Sequence, residues 1–384
     1  MSKSKSGSSK APPQPKQSLP KDRESLMDAL EAAFDSDDAE TALEITNELI
    51  TRFPDDTECL CLHASALSLG GSTDEALEFC GQAMDAHPES LDLIHQAADL
   101  LIQISEDDDD ALEEALELVE RGCAAGEKRA LEAVKKGALP ETDEALMQLE
   151  EQLSDLYLSA TDILTLLGDP KAALAAADKA KALFPDDCDV LTNHAAALFE
   201  LCRFEEARAE LESVLKASPD DSWALRQMGL VLDHLGKRSQ ADALIAKAHE
   251  LDPDACPAQI KMSVKAFDKA LEKALETLPG KVRDYLRNVA ILAEELPTQE
   301  DLSQADPPLS PNSLGLFRGT PGPLQSVSDP WSTWPSAIVL YQRNLERFAQ
   351  SREELEEEIA VTLLHEVGHF LGLDEEQVAA LGLK

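Results

Sequence analysis

Residues 222–255 read SWALRQMGLVLDHLGKRSQADALIAKAHELDPDA, and this 34-residue stretch decides the fold of most of the chain. Apolar residues recur every three or four positions on both sides of Gly236, which is the spacing of two amphipathic helices joined by a turn. The small residue Ala241 allows the helices to approach closely, and Pro253 ends the second one. The stretch therefore predicts a helix–turn–helix unit.

The same pattern recurs within residues 23–263, giving five recognisable units and a degenerate one at 89–123. Prolines close the units, a small residue precedes each proline by twelve positions, and turn glycines precede some of them by seventeen. The prolines are Pro54, Pro88, Pro185, Pro219 and Pro253. The small residues are Ala42, Ala76, Ala173, Ala207 and Ala241, and the turn glycines are Gly71, Gly168 and Gly236. A helix–turn–helix period of 34 residues closed by proline resembles the tetratricopeptide repeat (TPR).

Stacked repeats bury their apolar faces only against their neighbours. Small side chains suit such close helix contacts, and the chain is 43 % hydrophobic but only 4 % aromatic. The resemblance implies an all-α superhelix with a groove that binds a protein or peptide partner. The segment 105–145, which contains the acidic run EDDDD at 106–110, interrupts the period. It is expected either to lengthen the helices of one repeat or to project as a loop.

A second signal lies near the C-terminus, where residues 365–369 read HEVGH. On a helix, His365 and His369 are separated by about 6 Å along the axis and leave the same face. Two imidazoles so placed can hold one Zn²⁺. Glu366 is then positioned to act as general base for a water on the metal. This motif is typical of zinc peptidases.

A catalytic zinc site of this type needs a third protein ligand, commonly a carboxylate. Gly372 is expected to end the helix in a left-handed conformation and to return the acidic cluster 374–376 to the metal. In peptidases with a glycine three residues after the second histidine, the third ligand follows three residues later, which is Glu375. Asp374, one residue earlier, is the alternative.

From about Phe267 to Lys384 the chain resembles the small bacterial zincin-like metallopeptidases, also called minimal metalloproteases. The resemblance implies an α+β domain with a small mixed sheet, an edge strand along the cleft and the zinc helix beneath it. It carries over His365 and His369 as zinc ligands, Glu366 as base and Glu375 as third ligand, although family members often have Asp at that last position. The matching stretches are RNVAILAEELP (287–297), LGLFRGTP (314–321), IVLYQRNLERFA (338–349) and TLLHEVGHFLGLDEEQVAALG (362–382).

The residues of this region fit such a domain. Residues 288–293 and 337–341 are short apolar runs suited to strands, and residues 314–318 alternate weakly, as an exposed edge strand does. An extended peptide can add to such an edge by main-chain hydrogen bonds. The intervening residues 298–336 read as loop. Trp331 and Trp334 are expected to pack under this loop, with contact to substrate as the alternative. Tyr341, Arg343 and Arg318 are candidate donors to an oxyanion, but a structural role is favoured for each of them.

Composition limits the partners and the compartment. A net charge of −41 disfavours nucleic acid and anionic membranes as partners. No apolar run reaches 18 residues, so no membrane span is expected. Seven cysteines without a zinc motif or signal peptide indicate reduced thiols in the cytoplasm. The six histidines outside the motif are expected at the surface or in the groove: His63, His87, His95, His194, His234 and His249.

These observations predict a chain of two folded parts. Residues 1–22 form a disordered Ser/Lys/Pro-rich tail, residues 23–263 the repeat array, and residues 264–384 the zincin-like domain. The favoured function is a zinc-dependent peptidase whose repeats bind a protein substrate or partner. The alternative is a repeat-based adaptor whose zincin-like domain has little or no catalytic activity.

Overall fold

The computed structural model describes Pro20 and residues 22–105, 109–137, 143–278, 280–304, 306–319 and 336–373. Contacts between Cα atoms divide the chain into two compact units, Met1–Ser159 and Ala160–Lys384. None of the helices in the described residues is long and apolar enough to span a membrane.

The first unit consists of helices, and the first three of them begin at aspartate caps. The side chains of Asp22, Asp38 and Asp56 each accept a hydrogen bond from a backbone N–H of the following first turn, which satisfies a donor that the helix itself leaves unpaired. The helices are α1 (Arg23–Asp35), α2 (Ala39–Arg52), α3 (Thr57–Leu69), α4 (Thr73–Ala86), α5 (Leu91–Ser105), α6 (Asp109–Lys135) and α7 (Glu144–Leu166), the last of which contains the boundary between the units.

The interruption of the period lengthens two helices. Helices α6 and α7 contain 27 and 23 residues, whereas α3 and α4 contain 13 and 14. The two long helices approach closely at Gly126, where an added Cβ would lie 2.6 Å from Cδ2 of Leu153. Of the two alternatives for residues 105–145, longer repeat helices are therefore the one observed.

The second unit opens with further repeat helices. Alanines at the predicted inter-helix positions, Ala173, Ala207 and Ala241, are fully buried. Gly168 and Gly236 adopt the left-handed conformation in the turns, with φ of 73° and 75°. The predicted repeats are thus confirmed here. The helices are α8 (Pro170–Leu183), α9 (Cys188–Glu200), α10 (Phe204–Ala217), α11 (Ser222–His234) and α12 (Arg238–Leu251).

The surface or groove location expected for the remaining histidines is wrong for two of them, and a third, His234, is partly buried. His63 and His194 are buried, and the ring of His234 stacks on Phe204 with centroids 4.9 Å apart. Burial, reinforced by the charge of Arg347, lowers the pKa of His234 to about 4. Periodicity missed these positions because it does not show that His63 and His234 contact phenylalanine rings, or that His194 contacts Asp178 and Glu210.

The lowered pKa of His234 predicts a loss of stability in mild acid. The unfolded state, with a histidine pKa near 6.5, binds the proton more readily than the folded state, so stability falls as pH drops below about 6.5. Between pH 7 and pH 5 His234 should account for about 2 kcal/mol of lost unfolding free energy. Urea unfolding at both pH values should show this loss in the native chain and a correspondingly smaller one in His234→Gln. Equal losses in the two proteins would contradict the assignment.

The C-terminal region of the second unit combines helices with a small sheet. Its helices are α13 (Val264–Thr277), α14 (Gly280–Tyr285), α15 (Gln299–Leu302), α16 (Gln342–Phe348) and α17 (Arg352–Phe370), with a 3₁₀ turn at Leu286–Asn288. Its strands are β1 (Ala290–Glu294), β2 (Gly315–Arg318) and β3 (Ala337–Tyr341). All three predicted strands are therefore present, within two residues of the expected bounds.

The sheet is mixed, with β3 in the centre. Strand β3 runs parallel to β1, with Ala290 opposite Ala337, and antiparallel to β2, with Gly315 opposite Leu340. Ile338 and Leu340 pack with Phe267 of α13 and Ile359 of α17 in one apolar core. This arrangement confirms an α+β region after the helical repeats and places β2 at an edge of the sheet.

The last repeat contacts this region through buried charges. Asp233, at the end of α11, has a fully buried side chain that accepts hydrogen bonds from Arg343 and Arg347. Arg343 also donates to Asp242 of α12 over 2.6 Å. All four residues belong to the unit Ala160–Lys384. The boundary at residues 263–264 stays a prediction.

Candidate metal centre

Local sequence explains the helix that carries the HEVGH motif. The Ser351 side chain caps α17 by accepting a hydrogen bond from the N–H of Glu354 over 3.1 Å. Acidic residues in the first turn interact favourably with the helix dipole. A stripe of buried residues, namely Leu355, Ile359, Leu363, Val367 and Phe370, holds the helix in the apolar core. Gly372 follows with φ of 83°, the predicted left-handed stop.

The two histidines of the motif converge. The Nε2 atoms of His365 and His369 lie 2.9 Å apart, and their rings are steeply inclined, with centroids separated by 4.7 Å. Two nitrogens bound to one tetrahedral Zn²⁺ at about 2.0–2.1 Å would lie roughly 3.3–3.4 Å apart. Small ring rotations bring the pair to that separation, so the donor geometry fits a zinc ion.

The side chain of Glu366, a residue of α17, lies against the edge strand β2. The glutamate is buried, with 6 % of its surface exposed. A Cβ added at Gly315 of β2 would lie 3.0 Å from its Cγ and 3.1 Å from its Oε1. The carboxylate therefore rests against the backbone of β2, where only a glycine leaves it room.

Gly315→Ala is expected to displace Glu366. In a peptidase that uses Glu366 as general base, it should lower hydrolysis of a test peptide by at least about tenfold, since misplacing a catalytic group by 1 Å can cost about a hundredfold. Zinc content should stay unchanged, because Gly315 lies against the glutamate and Thr362. Gly81→Ala in α4 is the matched control, since its Cβ would meet nothing within 4 Å. Activity of Gly315→Ala equal to that of Gly81→Ala would contradict this placement.

The proposed third ligand falls outside the described residues. Both Glu375 and its alternative Asp374 follow Leu373, where the described part of the chain ends. Within the described ranges, no group of three His, Cys, Asp or Glu residues is placed to hold a metal ion. Trp331 and Trp334 likewise lie outside those ranges.

The arginine candidates for oxyanion donors have carboxylate partners. Arg318 donates to Glu294 over 2.8 Å and to Asp301 over 2.6 Å. Burial tends to raise the pKa of Asp301, but hydrogen bonds from Arg318 and Thr298 outweigh it and hold the pKa below its ordinary value. Arg343 is engaged with Asp233 and Asp242. Both arginines therefore have the structural role that was favoured for them.

Tyr341, the third candidate, ends strand β3 with a side chain that is fully buried. Burial raises the pKa of its hydroxyl above the ordinary range. A hydroxyl enclosed by protein on all sides is poorly placed to reach a substrate, so Tyr341 also fits a structural role. The sequence offered no way to separate these roles, because each depends on partners distant along the chain.

Comparison with known families agrees with this architecture. The family model described as zincin-like metallopeptidase matches residues 286–383. The tetratricopeptide repeat model matches residues 164–227. The chain carries TPR repeats followed by a zincin-like domain. Helices α8 to α10 lie within the repeat match, and β1, β2, β3 and α17 lie within the zincin-like match.

Two of the solved structures to which the chain is similar are TPR proteins. YrrB, a TPR protein with an unusual peptide-binding site, is 19 % identical over 56 % of this chain and 95 % of its own, with a TM-score of 0.35. TTC0263, a thermophilic TPR protein from Thermus thermophilus, is 17 % identical over 58 % and 98 %, with a TM-score of 0.39. None of the curated proteins matches the chain.

Proposed function

We propose that the chain is a zinc-dependent peptidase whose TPR repeats bind a protein substrate or partner. The observation that carries this proposal is the pair of Nε2 atoms 2.9 Å apart on α17, with Glu366 between the two histidines in sequence and against the edge strand in space. The match of residues 286–383 to zincin-like metallopeptidases supports it.

His365, His369 and Glu375 would hold the zinc ion, with Asp374 as the alternative third ligand. When bound, zinc supplies Lewis acidity and lowers the pKa of a coordinated water. Glu366 accepts a proton from the attacking water and transfers it to the leaving amine. Burial of Glu366 beside Gly315 fixes the carboxylate, so the proton acceptor stays oriented before substrate binds.

Strand β2 would bind the substrate. In the described residues it pairs with β3 along one edge only, and an extended peptide can hydrogen-bond to the other edge. The TPR repeats would supply the remaining affinity for a protein.

All seven cysteines are free thiols, which supports a reducing compartment and hence the cytoplasm.

Metal analysis tests the proposal directly. The purified native chain should contain one zinc ion, and His365→Ala or His369→Ala should lower zinc affinity by more than about a hundredfold, since even residues that only support a ligand contribute about 10–100-fold. His87→Ala, far from the motif in sequence, is the control and should keep full affinity. Retention of zinc in both motif variants would exclude this site.

The same assay distinguishes the two candidates for the third zinc ligand. Glu375→Ala is expected to lower zinc affinity and Asp374→Ala to leave it unchanged; the reverse result would assign Asp374. A native chain that binds zinc tightly but cleaves none of a broad set of unstructured peptides would favour the adaptor over the peptidase.

A further inference from the structure

A proline-containing segment of the zincin-like region lies on the TPR repeats. This docked segment, residues 306–313, reads DPPLSPNS. Its donors converge on Glu200 at the end of α9: the hydroxyl of Ser310 donates over 2.7 Å to one carboxylate oxygen, and the amide of Asn312 donates over 3.0 Å to the other. Both oxygens of Glu200 are thus used by the docked segment.

An apolar contact precedes these polar ones. Leu309 packs against the repeat core that contains Phe199 and Phe204. Its carbonyl oxygen lies 3.8 Å from Sγ of Cys202. The docked segment therefore presents a leucine, then a hydroxyl and then an amide to one face of the repeats.

Cys202 occupies an unusual backbone position. Its φ is 58°, the left-handed conformation that Gly168 and Gly236 adopt 34 residues before and after it. A residue with a Cβ pays about 1–2 kcal/mol in this conformation. The repeat that contacts the docked segment thus has a cysteine at the turn position where the two adjacent repeats have glycine. The cysteine side chain lies against the docked segment.

The docked segment is also held on its other side. The amide of Asn344, in α16, donates to the carbonyl oxygens of Pro311 and Ser313, each over 2.8 Å. At its start, Asp306 pairs with Lys171 of α8 over 2.5 Å. Three prolines in eight residues restrict the backbone, and the N–H of Ser313 closes a turn onto the carbonyl oxygen of Ser310 over 3.1 Å. Both features lower the entropy lost on binding.

From these contacts we infer that the face formed by Glu200, Cys202 and the adjoining repeat core is a peptide-binding surface whose ligand is the chain's own docked segment. It recognises a proline-containing peptide with a leucine followed by hydroxyl and amide donors that lie in a turn. A protein partner that uses this face must present the same chemistry and displace the docked segment. The inference extends the proposed binding role of the repeats and is independent of peptide hydrolysis.

Thiol labelling of the full-length chain tests the inference. Cys202 should react slowly with a maleimide, as read by peptide mapping, because the docked segment covers its thiol. In a chain with Leu309→Gly, Ser310→Gly and Asn312→Gly, labelling of Cys202 should accelerate by about tenfold or more, since hydrogen bonds to a charged group contribute enough for a factor of ten. Cys188, at the start of α9, contacts Ser218 instead and is the internal control.

A peptide added in trans tests recognition itself. The synthetic peptide QADPPLSPNSL, residues 304–314, should slow the labelling of Cys202 in the triple variant. The same peptide with glycine in place of its leucine at 309, serine at 310 and asparagine at 312 should not. Protection by the first peptide alone would establish that the repeat face binds this sequence as a ligand.

The inference is overturned if Cys202 labels equally fast in the native chain and the triple variant, or if the peptide gives no protection. Faster labelling of both Cys202 and Cys188 would mean that the repeat has opened as a whole. Labelling is then measured in Glu200→Ala, which removes only the acceptor of the two hydrogen bonds. Faster labelling of Cys202 alone supports the inference, and an unchanged labelling rate rejects it. These results do not depend on zinc or catalysis, so they stand apart from any failure of the peptidase assay.

Discussion

Glu366→Gln is expected to lower the rate of peptide hydrolysis by about 10²–10⁴-fold, because the amide has nearly the shape of the carboxylate but cannot accept the proton of the attacking water. The glutamate is buried against Gly315, so the glutamine should occupy the same space. Zinc binding should be unchanged, since the two histidines remain. The measurement is kcat on a cleaved fluorogenic peptide alongside metal content.

Glu357→Gln is the matched control for that experiment. Glu357 lies on the same helix but is exposed to solvent, and its replacement should leave kcat unaltered. Equal losses in the two variants would point to a general effect on the helix rather than to a proton acceptor. Full activity in Glu366→Gln would remove the glutamate from the chemistry and with it the proposed mechanism.

Asp233→Ala should produce the largest loss of stability. The substitution leaves Arg343 and Arg347 buried without their shared acceptor, and breaking a buried ion pair on one side costs about 3–5 kcal/mol. For a unit of this size, each kcal/mol lowers the melting temperature by roughly 2–4 °C. A decrease of about 10 °C is therefore expected in a thermal scan of the full-length chain.

Two further variants define the origin of this loss. Asp220→Ala removes a largely exposed partner of Lys247 and should cost about 1 kcal/mol at most. The double variant Asp233→Leu, Arg347→Met should recover much of the stability, since an apolar pair can replace a buried ion pair and Arg343 keeps Asp242. If Asp233→Ala is as stable as Asp220→Ala, the buried charges contribute little to stability.

The repeats and the motif helix were readable from sequence because both depend on local patterns. The 34-residue period needs only contacts between neighbouring helices, and the alanines that it selects are buried as expected. Helix α17 has its cap, apolar stripe and terminating glycine within about twenty residues. Strand β3 was also predicted at its observed bounds, since a continuous apolar run is typical of a central strand.

Side-chain roles set by distant partners were not readable. Arg343 and Asp233 are 110 positions apart, and no spacing rule connects them. The same holds for Glu200 and Asn312, which are 112 positions apart. Gly315 carried one usable signal, a glycine inside a predicted edge strand, which often marks a close approach of another group.

The sequence by itself determined the helical repeats, the α+β region that follows them and the pair of histidines on one helix face, because periodicity and caps act over a few turns. Only the tertiary structure decided that Glu366 rests against Gly315, that the arginines neutralise buried aspartates, and that residues 306–313 lie on the repeats. Those outcomes depend on which distant surfaces meet when the apolar core closes, and burial then fixes the partner of each polar group.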